Sequence, residues 1–407
     1  MTPEVKERIE QIRNGNVPEG YKKTKVGIFP CEWNVQPLSK LLEFKNGINA
    51  DKEKFGQGTK LISVRDILSD YPITYETIQG SVDVNEQQME EYGVKYGDIL
   101  FQRSSENYED AGTSNVYLDP NNTAVFSGFV IRGKKISEYN PVYLNALLRT
   151  SYVRKAIIRQ AAGAQHINIG QESLAKVHIA LADDPEQKKI AEILTAQDKV
   201  IELKEKLLSE KQRQKKHLMQ QLITGKIRLP GFSENWATVE LEEVFDYVQP
   251  TPYLVKSTNY SNSYLTPVLT AGKTFVLGYT DEVAGIYHDL PVVIFDDFTT
   301  DSKYVDFPFK AKSSAMKILK IKDGYNLVFA YEAMQMINFT VGGHERHWIS
   351  KYSKLTIDAP CLEEQDAIAN VISIIDKELA LLQQDLEQEK QKKKALMQLL
   401  LTGMVRV

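Results

Sequence analysis

Residues 187–228, QKKIAEILTAQDKVIELKEKLLSEKQRQKKHLMQQLITGKIR, return 178 positions later as residues 365–406, QDAIANVISIIDKELALLQQDLEQEKQKKKALMQLLLTGMVR. The two copies align without a gap. Gln187, Ile190, Ala191, Asp198, Leu203 and Lys216 lie on Gln365, Ile368, Ala369, Asp376, Leu381 and Lys394. The endings agree most closely, Leu218-Met219-Gln220, Leu222, Thr224-Gly225 and Arg228 repeating as Leu396-Met397-Gln398, Leu400, Thr402-Gly403 and Arg406. A repeat of this kind marks a duplication.

Each copy predicts one long helix. In the second, Ile368, Ile372, Ile375, Leu379, Leu382, Leu386, Leu396 and Leu400 fall on alternating steps of four and three, the stripe a coiled coil buries, with only Glu389 and Lys393 interrupting. The first copy keeps Ile190, Leu194, Ile201, Leu208, Leu218 and Leu222 but sets Gln197, Lys204, Lys211 and Lys215 in the same register, which predicts a weaker seam. Thr224-Gly225 and Thr402-Gly403 end the helices, glycine taking the left-handed cap without a Cβ clash. An ideal helix over Gln187 to Leu222 is roughly 54 Å long. Periodicity alone fits two helices of an ordinary bundle equally well; the constant offset is what sets them apart.

A second correspondence runs at a shift of 203, Trp33 and Leu38 matching Trp236 and Leu241. The chain is thus two halves, each passing from a tryptophan-containing segment through a variable body into a long helix. This plan, with Glu186-Gln187 and Glu364-Gln365 opening the helices and Leu-Met-Gln-x-Leu-x-Thr-Gly-x-x-Arg closing them, resembles the specificity subunit of type I restriction-modification enzymes. The resemblance covers essentially the whole chain. Gly97-Asp98-Ile99-Leu100-Phe101-Gln102-Arg103 with Ser104-Ser105-Glu106, and Thr266-Pro267-Val268-Leu269-Thr270-Ala271-Gly272-Lys273, are strings similar to those of its recognition domains, Gln102 standing where threonine is common. The fold it implies is α+β, with two target-recognition domains separated by two long antiparallel coiled-coil helices in a pseudo-twofold, circular arrangement. The expected division is an N-terminal helical segment 1–19, a first recognition domain 20–184, a central spacer helix 185–228, a second recognition domain 229–362 and a C-terminal spacer helix 363–407.

The chain has 407 residues, room for two or three domains with cores of their own. No apolar run approaches ~18 residues and no signal-peptide pattern opens it, so a cytoplasmic protein without a membrane partner is expected. Two cysteines, Cys31 and Cys361, are too few for a disulfide framework. A net charge of −4 argues mildly against a nucleic-acid binder. The distribution runs the other way: Glu186 to Arg228 holds 11 Lys and Arg against 6 Asp and Glu, with Lys211, Arg213, Lys215 and Lys216 bunched late, as are Lys390, Lys392, Lys393 and Lys394. These cations either answer the helix dipole at a solvated end or reach phosphates over the unread gap between half-sites.

Thr2 to Arg13 reads as a short helix. The first body alternates short β-type runs (60–64, 99–101, 125–131) with Asn-, Asp- and Gly-rich turns, then a helical stretch 141–162 carrying Arg149, Arg154, Lys155 and Arg159. Arg65, Arg103, Ser104, Ser105, Asn107, Tyr108, Gln165, His166 and Asn168 have the donors and acceptors that major-groove base edges require. The aromatic-rich second body, Gly231 to Pro360, offers Lys273, Thr274, Thr299, Thr300, Ser302, Lys303, Lys310, Lys312, Ser313 and Ser314. Any one of these polar residues could equally just face water. The glycine-polar loop 342–347 resembles 163–166; its His344-x-x-His347 pair has no further Cys or His nearby, so no metal is expected.

No P-loop, nucleophile elbow or methyltransferase Asn/Asp-Pro-Pro-aromatic run is present. The expectation is a non-catalytic, DNA-reading subunit without a cofactor of its own. The resemblance supplies its partners: double-stranded DNA, two methylase subunits binding S-adenosylmethionine, and restriction subunits using ATP and Mg. Ile193, Val200 and Leu207, apolar but off the seam, are candidate methylase contacts. A fused-type enzyme with a degenerate catalytic centre and a coiled-coil scaffold that binds no DNA remain as rival readings.

Overall fold

Short apolar runs closed by turn residues set the sheets. Ile99-Leu100-Phe101 and Val293-Ile294-Phe295 are each fully buried, covered on both faces, which is why they read as continuous rather than alternating apolar stretches. Around them the chain folds, in a computed structural model that describes residues 2–163, 166–272, 274–339 and 346–407, into two compact units. One is Met1–Lys204 with Asp385–Val407, the other Glu205–Gln384. Each unit takes one body together with the stretches of both long helices that touch it.

In the first unit a four-stranded antiparallel sheet runs in the order Leu42–Asn46, Val130–Lys135, Ile99–Gln102, Ser114–Val116. Beside it Phe55–Ile62 pairs parallel with Val125–Phe126 and antiparallel with Gly80–Val82. Asn34–Pro37 pairs with His178–Leu181. The second unit repeats all three: Phe245–Val248, Met316–Ile321, Val292–Asp296, Ser302–Val305 in one sheet; Thr266–Leu269 parallel to Lys310–Ala311 and antiparallel to Val276–Thr280; Ala237–Glu240 with Thr356–Ala359. Even the register corresponds. Leu42 pairs with Lys135 as Phe245 pairs with Ile321, and Val130 with Gln102 as Met316 with Asp296. Alternate residues of each central strand feed two cores, Ile99 and Phe101 one and Leu100 the other in the first unit, Val293 and Phe295 one and Ile294 the other in the second.

Two details depart from the sequence reading. The run 125–131 is not one strand: it breaks at Ser127-Gly128, where a Cβ on Gly128 would lie 1.8 Å from Asn49 Oδ1, and Phe129 is left 65% exposed. The stretch 141–162 is two helices, Pro141–Leu148 and Ser151–Ile158. The short helix expected at the N-terminus forms as Pro3–Arg13. Both cysteines are free, Cys31 exposed and Cys361 half-buried.

The long helices span Asp184–Ile223 and Leu362–Leu400. In the first unit Ile190, Leu194, Ile201, Leu386 and Leu400 are buried, and in the second Leu208, Leu222, Ile368 and Ile372, all seam positions. The polar interruptions are answered across the pair. In the first unit Gln197 donates to Glu389 (2.7 Å), Lys204 meets Asp385 (2.5 Å) and Lys393 meets Asp198 (2.5 Å). In the second, Lys211 meets Glu378 at 2.6 Å and Lys215 meets Asp376. Numbers rise on one helix as they fall on the other, so the helices are antiparallel. The Gln197 amide above all, with Lys392 and Lys204, holds the Glu389 carboxyl down to about 2. Such half-exposed pairs add little stability each, but polar groups at seam positions fix register. Lys211, Lys215 and Lys393, expected as solvated or phosphate-facing cations, are spent inside the pair. Arg213 and Lys392 pair along their own helices with Glu210 and Glu389.

The remaining repeated residues converge on one joint per unit. Glu186, buried, accepts the Trp33 indole N–H (2.7 Å) and the Arg406 Nε (2.6 Å). Glu364, 1% exposed, accepts the Trp236 indole (3.2 Å) and both Nε and Nη2 of Arg228 (2.6 Å each). The neighbouring glutamine ties the body to the helix. Gln187 Oε1 accepts the backbone N–H of Asn140 (3.0 Å) and Gln365 Oε1 that of Asn326 (2.9 Å), the residues that cap Pro141–Leu148 and Leu327–Gln335. Their amides donate to Ala182 and Pro360 carbonyls, both at 2.8 Å. Gly225 and Gly403, at φ +67° and +68°, turn the chain over the same tryptophans. In the first unit the Tyr21 hydroxyl also donates to the Gly403 carbonyl (2.6 Å), joining the segment after the N-terminal helix to the C-terminal one.

Candidate nucleic-acid interface

In the first body the chain leaves the central strand at Gln102 and wanders through residues 103–113 before returning as Ser114–Val116. Basic side chains from the helices hold this excursion. Arg154 Nη2 donates to the Glu109 and Ala111 carbonyls (2.8 Å each), and Arg149 to those of Ser114 and Ser69 (3.1 Å each). Within it Ser104–Ser105 pairs antiparallel with Ile167–Asn168. Ser104 Oγ donates to Asn168 Oδ1, Ser105 Oγ to the Asn107 carbonyl, Asn107 Nδ2 to Asp110 (2.8 Å) and the Tyr108 hydroxyl to the Gly163 carbonyl (3.1 Å). Arg103 Nη1 donates to the Gly128 carbonyl (3.2 Å).

Arg103, Ser104, Ser105, Asn107, Tyr108, His166 and Asn168, scattered over the sequence, are thus gathered on one side of the first body. Together with Gln102, Glu106, Asp110 and Phe129, several of them line an open cleft of about 390 Å³. Ser105 lines the cleft but is buried, its hydroxyl committed to the Asn107 carbonyl. Arg65, exposed on the short helix Val64–Ile67, is not among the residues lining the cleft. Gln165 lies outside the described residues.

The topological counterpart in the second body is the turn between Val292–Asp296 and Ser302–Val305. Asp296 Oδ1 accepts the Phe298 and Thr299 N–H groups (2.9 Å each) and Thr300 stands at φ +61°, a conformation rare for a β-branched side chain. Beneath it Asp297 and Lys317, each 1% exposed, face each other at 3.5 Å, and Asp297 Oδ1 accepts the Trp348 N–H (2.8 Å). The aligned register puts Gln102 where Asp296 stands and Ile131 where Lys317 stands, so the same scaffold carries different chemistry in each body. Of the candidates, Lys303 is half-buried on the strand after this turn, and Thr274 and Ser313 are exposed. Lys312 reaches the Tyr260 hydroxyl (3.2 Å). Ser302 is a correction: 7% exposed, its hydroxyl accepts from Gln335 (2.7 Å), which commits it to the interior of the body. Lys310 is likewise buried, paired with Glu282 at 3.1 Å. Lys273 and residues 340–345, His344 among them, lie outside the described residues; His347 is buried. Among the described residues no three His, Cys, Asp or Glu side chains are grouped to hold a metal, and no helix is long and apolar enough to cross a membrane.

Of the other lining residues, Gln102 is legible in the sequence as a departure from a familiar string that bears on which bases are read, whereas Phe129 falls in a run that reads as strand core.

Residues 30–211 and 233–390 match the family described as the type I restriction modification DNA specificity domain. A stretch of 163 residues, 38% of this chain and 40% of the relative, is 47% identical to the EcoR124I/EcoR124II specificity subunit of Escherichia coli, so that match spans less than half of the relative's length. A Methanocaldococcus jannaschii protein assigned as the MjaX specificity subunit is 27% identical over 96% of this chain and 97% of its own. Among solved structures, the S subunit of the type I system from M. genitalium aligns over 90% of this chain and 96% of its own with a TM-score of 0.53 at 13% identity. A chain from a study of complex assembly and conformational transition in the type I restriction-modification system aligns over 93% and 99% with a TM-score of 0.56 at 13% identity. These two likenesses concern the fold.

Proposed function

The chain belongs to the type I restriction-modification DNA specificity family, whose members are non-catalytic, and on that premise we propose that its two bodies each read one half of a split, asymmetric duplex site. The observation that carries this is the correspondence of three sheets, in strand order and register, between two bodies whose loops differ. A shared scaffold with divergent loops is what two readers of different sequences need, since base edges are read by side chains and not by folds. The recognition domains are residues 20–184 and 229–362, and the loops after Gln102 and Asp296 are their reading surfaces. The protein works in the cytoplasm, with S-adenosylmethionine, ATP and Mg held by methylase and restriction partners.

A map of methylated adenines in a host expressing this chain with its methylase tests the reading. The expected result is one motif of two defined blocks separated by a fixed number of unread bases. A single contiguous motif would contradict it.

The methylase docks on the outward faces of the long helices. In the first unit Val200 and Leu203 are 37% and 53% exposed, and in the second unit Leu207, Ile374 and Leu381 are 44%, 66% and 65% exposed, in each unit apolar surface of the kind that marks interaction sites. Ile193 does not belong to this face, because it packs against the core of the first body. Charging Val200 and Leu203 together is expected to abolish co-purification of the methylase while the circular dichroism melt stays within a few degrees of wild type. Retention of the complex at unchanged stoichiometry would remove the assignment.

A further inference from the structure

Gln102, in the wall of the first body's cleft, carries a polar atom with nothing to bond. Gln102 is 5% exposed and lines the cleft; its Nε2 donates to the Ser104 carbonyl at 2.9 Å, which fixes the orientation of the amide. Its Oε1 is buried without a partner. Buried acceptors are nearly always satisfied, so this one calls for a donor from outside the protein. Acceptors are well represented in the rest of the lining: the carboxylates of Glu106 and Asp110 are acceptors only, and the hydroxyls of Ser104 and Ser105 give their protons to Asn168 and to the Asn107 carbonyl, while Asn107 and His166 add donors. Phe129, the most exposed aromatic of this body, stands at the same cleft, and its flat apolar ring suits a base edge or a pyrimidine C5 substituent.

We propose that Gln102 is a specificity-determining residue: the first body's cleft accepts the exocyclic amino group of one base, adenine N6 or cytosine N4, with Gln102 Oε1 as acceptor. The inference rests on the reading of the chain as a DNA specificity subunit. Because the Gln102 amide nitrogen is already committed to Ser104, the side chain cannot offer the donor–acceptor pair with which glutamine embraces both N6 and N7 of adenine. It reads the amino group alone, and guanine and thymine, which present acceptors at that edge, leave Oε1 opposed by another acceptor. The corresponding position in the second body is Asp296, whose Oδ1 is filled by two backbone N–H groups, so the device belongs to the first half-site only.

The experiment uses the full chain with its methylase. Methylated-adenine maps are compared for wild type and Gln102→Met, which keeps the length and removes the acceptor. One position of the first block is expected to lose discrimination by about tenfold or more, with the remaining positions and the whole second block unchanged. Binding to synthetic duplexes then identifies the base. Purine in place of adenine, or 2-pyrimidinone in place of cytosine, deletes only the amino group at that position. One of the two is expected to weaken wild type about tenfold and leave Gln102→Met unaffected; which one does so names the base. Unchanged discrimination in Gln102→Met overturns the assignment. So does an equal loss at every position of the first block, the signature of a loop-shaping role; Phe129→Ala, which leaves the amide network intact, then shows whether the cleft touches DNA at all. A wild-type map without two blocks overturns the underlying reading instead, and this assignment with it.

Discussion

Replacing Trp33 by alanine is expected to cost the first unit about 3–5 kcal/mol, the range for deleting a buried large aromatic. Trp33 is fully buried against Phe29 at a centroid distance of 5.9 Å, and its indole is one of the two donors on buried Glu186. The truncation therefore opens a cavity and strips a carboxylate of a partner at once. Trp33→Phe keeps most of the volume but not the donor, and is expected to cost about 1–3 kcal/mol, the penalty for a buried group left short of a hydrogen bond. Trp236→Ala should be milder than Trp33→Ala, because Trp236 is only part-buried, its ring meeting Phe329 edge-on and the Arg228 guanidinium at 5.5 Å, and Glu364 keeps two short bonds from Arg228 when the indole is gone. Urea denaturation of the three variants followed by circular dichroism gives the order. A loss below about 1 kcal/mol for Trp33→Ala, outside the range for such truncations, would mean that the joint is not what fastens body to helix.

That joint shows how far the sequence could be read. Its members were visible as repeated residues, since duplication marks whatever the scaffold cannot change. Their common purpose was not, because Trp33 and Glu186 lie 153 positions apart and Arg406 and Glu186 lie 220 apart, and nothing local predicts a contact at such separation. The seam was legible in outline: a period of three and four is a statement about which residues face a partner helix, and Ile190, Leu194, Ile201, Leu208, Leu222, Ile368, Ile372, Leu386 and Leu400 are buried on it, while Ala191, Ile223 and Ala369 are buried beside it. The lysines within the seam were misjudged for the same reason that the seam was found. Charge in an apolar stripe looks like interruption until the second helix supplies Asp376, Glu378, Asp385 and Glu389 opposite them.

The equivalence of the two bodies was legible at their edges, in Trp33 and Trp236 or Leu38 and Leu241, but not strand by strand. Phe101 and Phe295 share a register position, but Gln102 and Asp296, or Ile131 and Lys317, have nothing chemical in common. Strand order survives such divergence because it depends on where apolar runs and turns fall, while the loops between are free to follow the ligand. For that reason the candidate reading residues could be named as a class but not sorted by sequence alone into those that line the cleft, such as Ser104 and Asn107, and those committed to the interior, such as Ser302 and Lys310 in the second body.

The claim that these are two independent readers on one scaffold has the largest functional consequence. If Gly231 to Pro360 is exchanged for the corresponding segment of another family member, both joins fall in loops outside the long helices, so the seam and the whole first unit keep their residues. Methylated-adenine mapping of a host carrying the exchanged chain with its methylase is the direct measurement. The account predicts complete loss of methylation at the original motif and its appearance at a new one, in which the block read by the first body is unchanged and only the other block differs. A new motif altered in both blocks, or the original motif persisting, would contradict it.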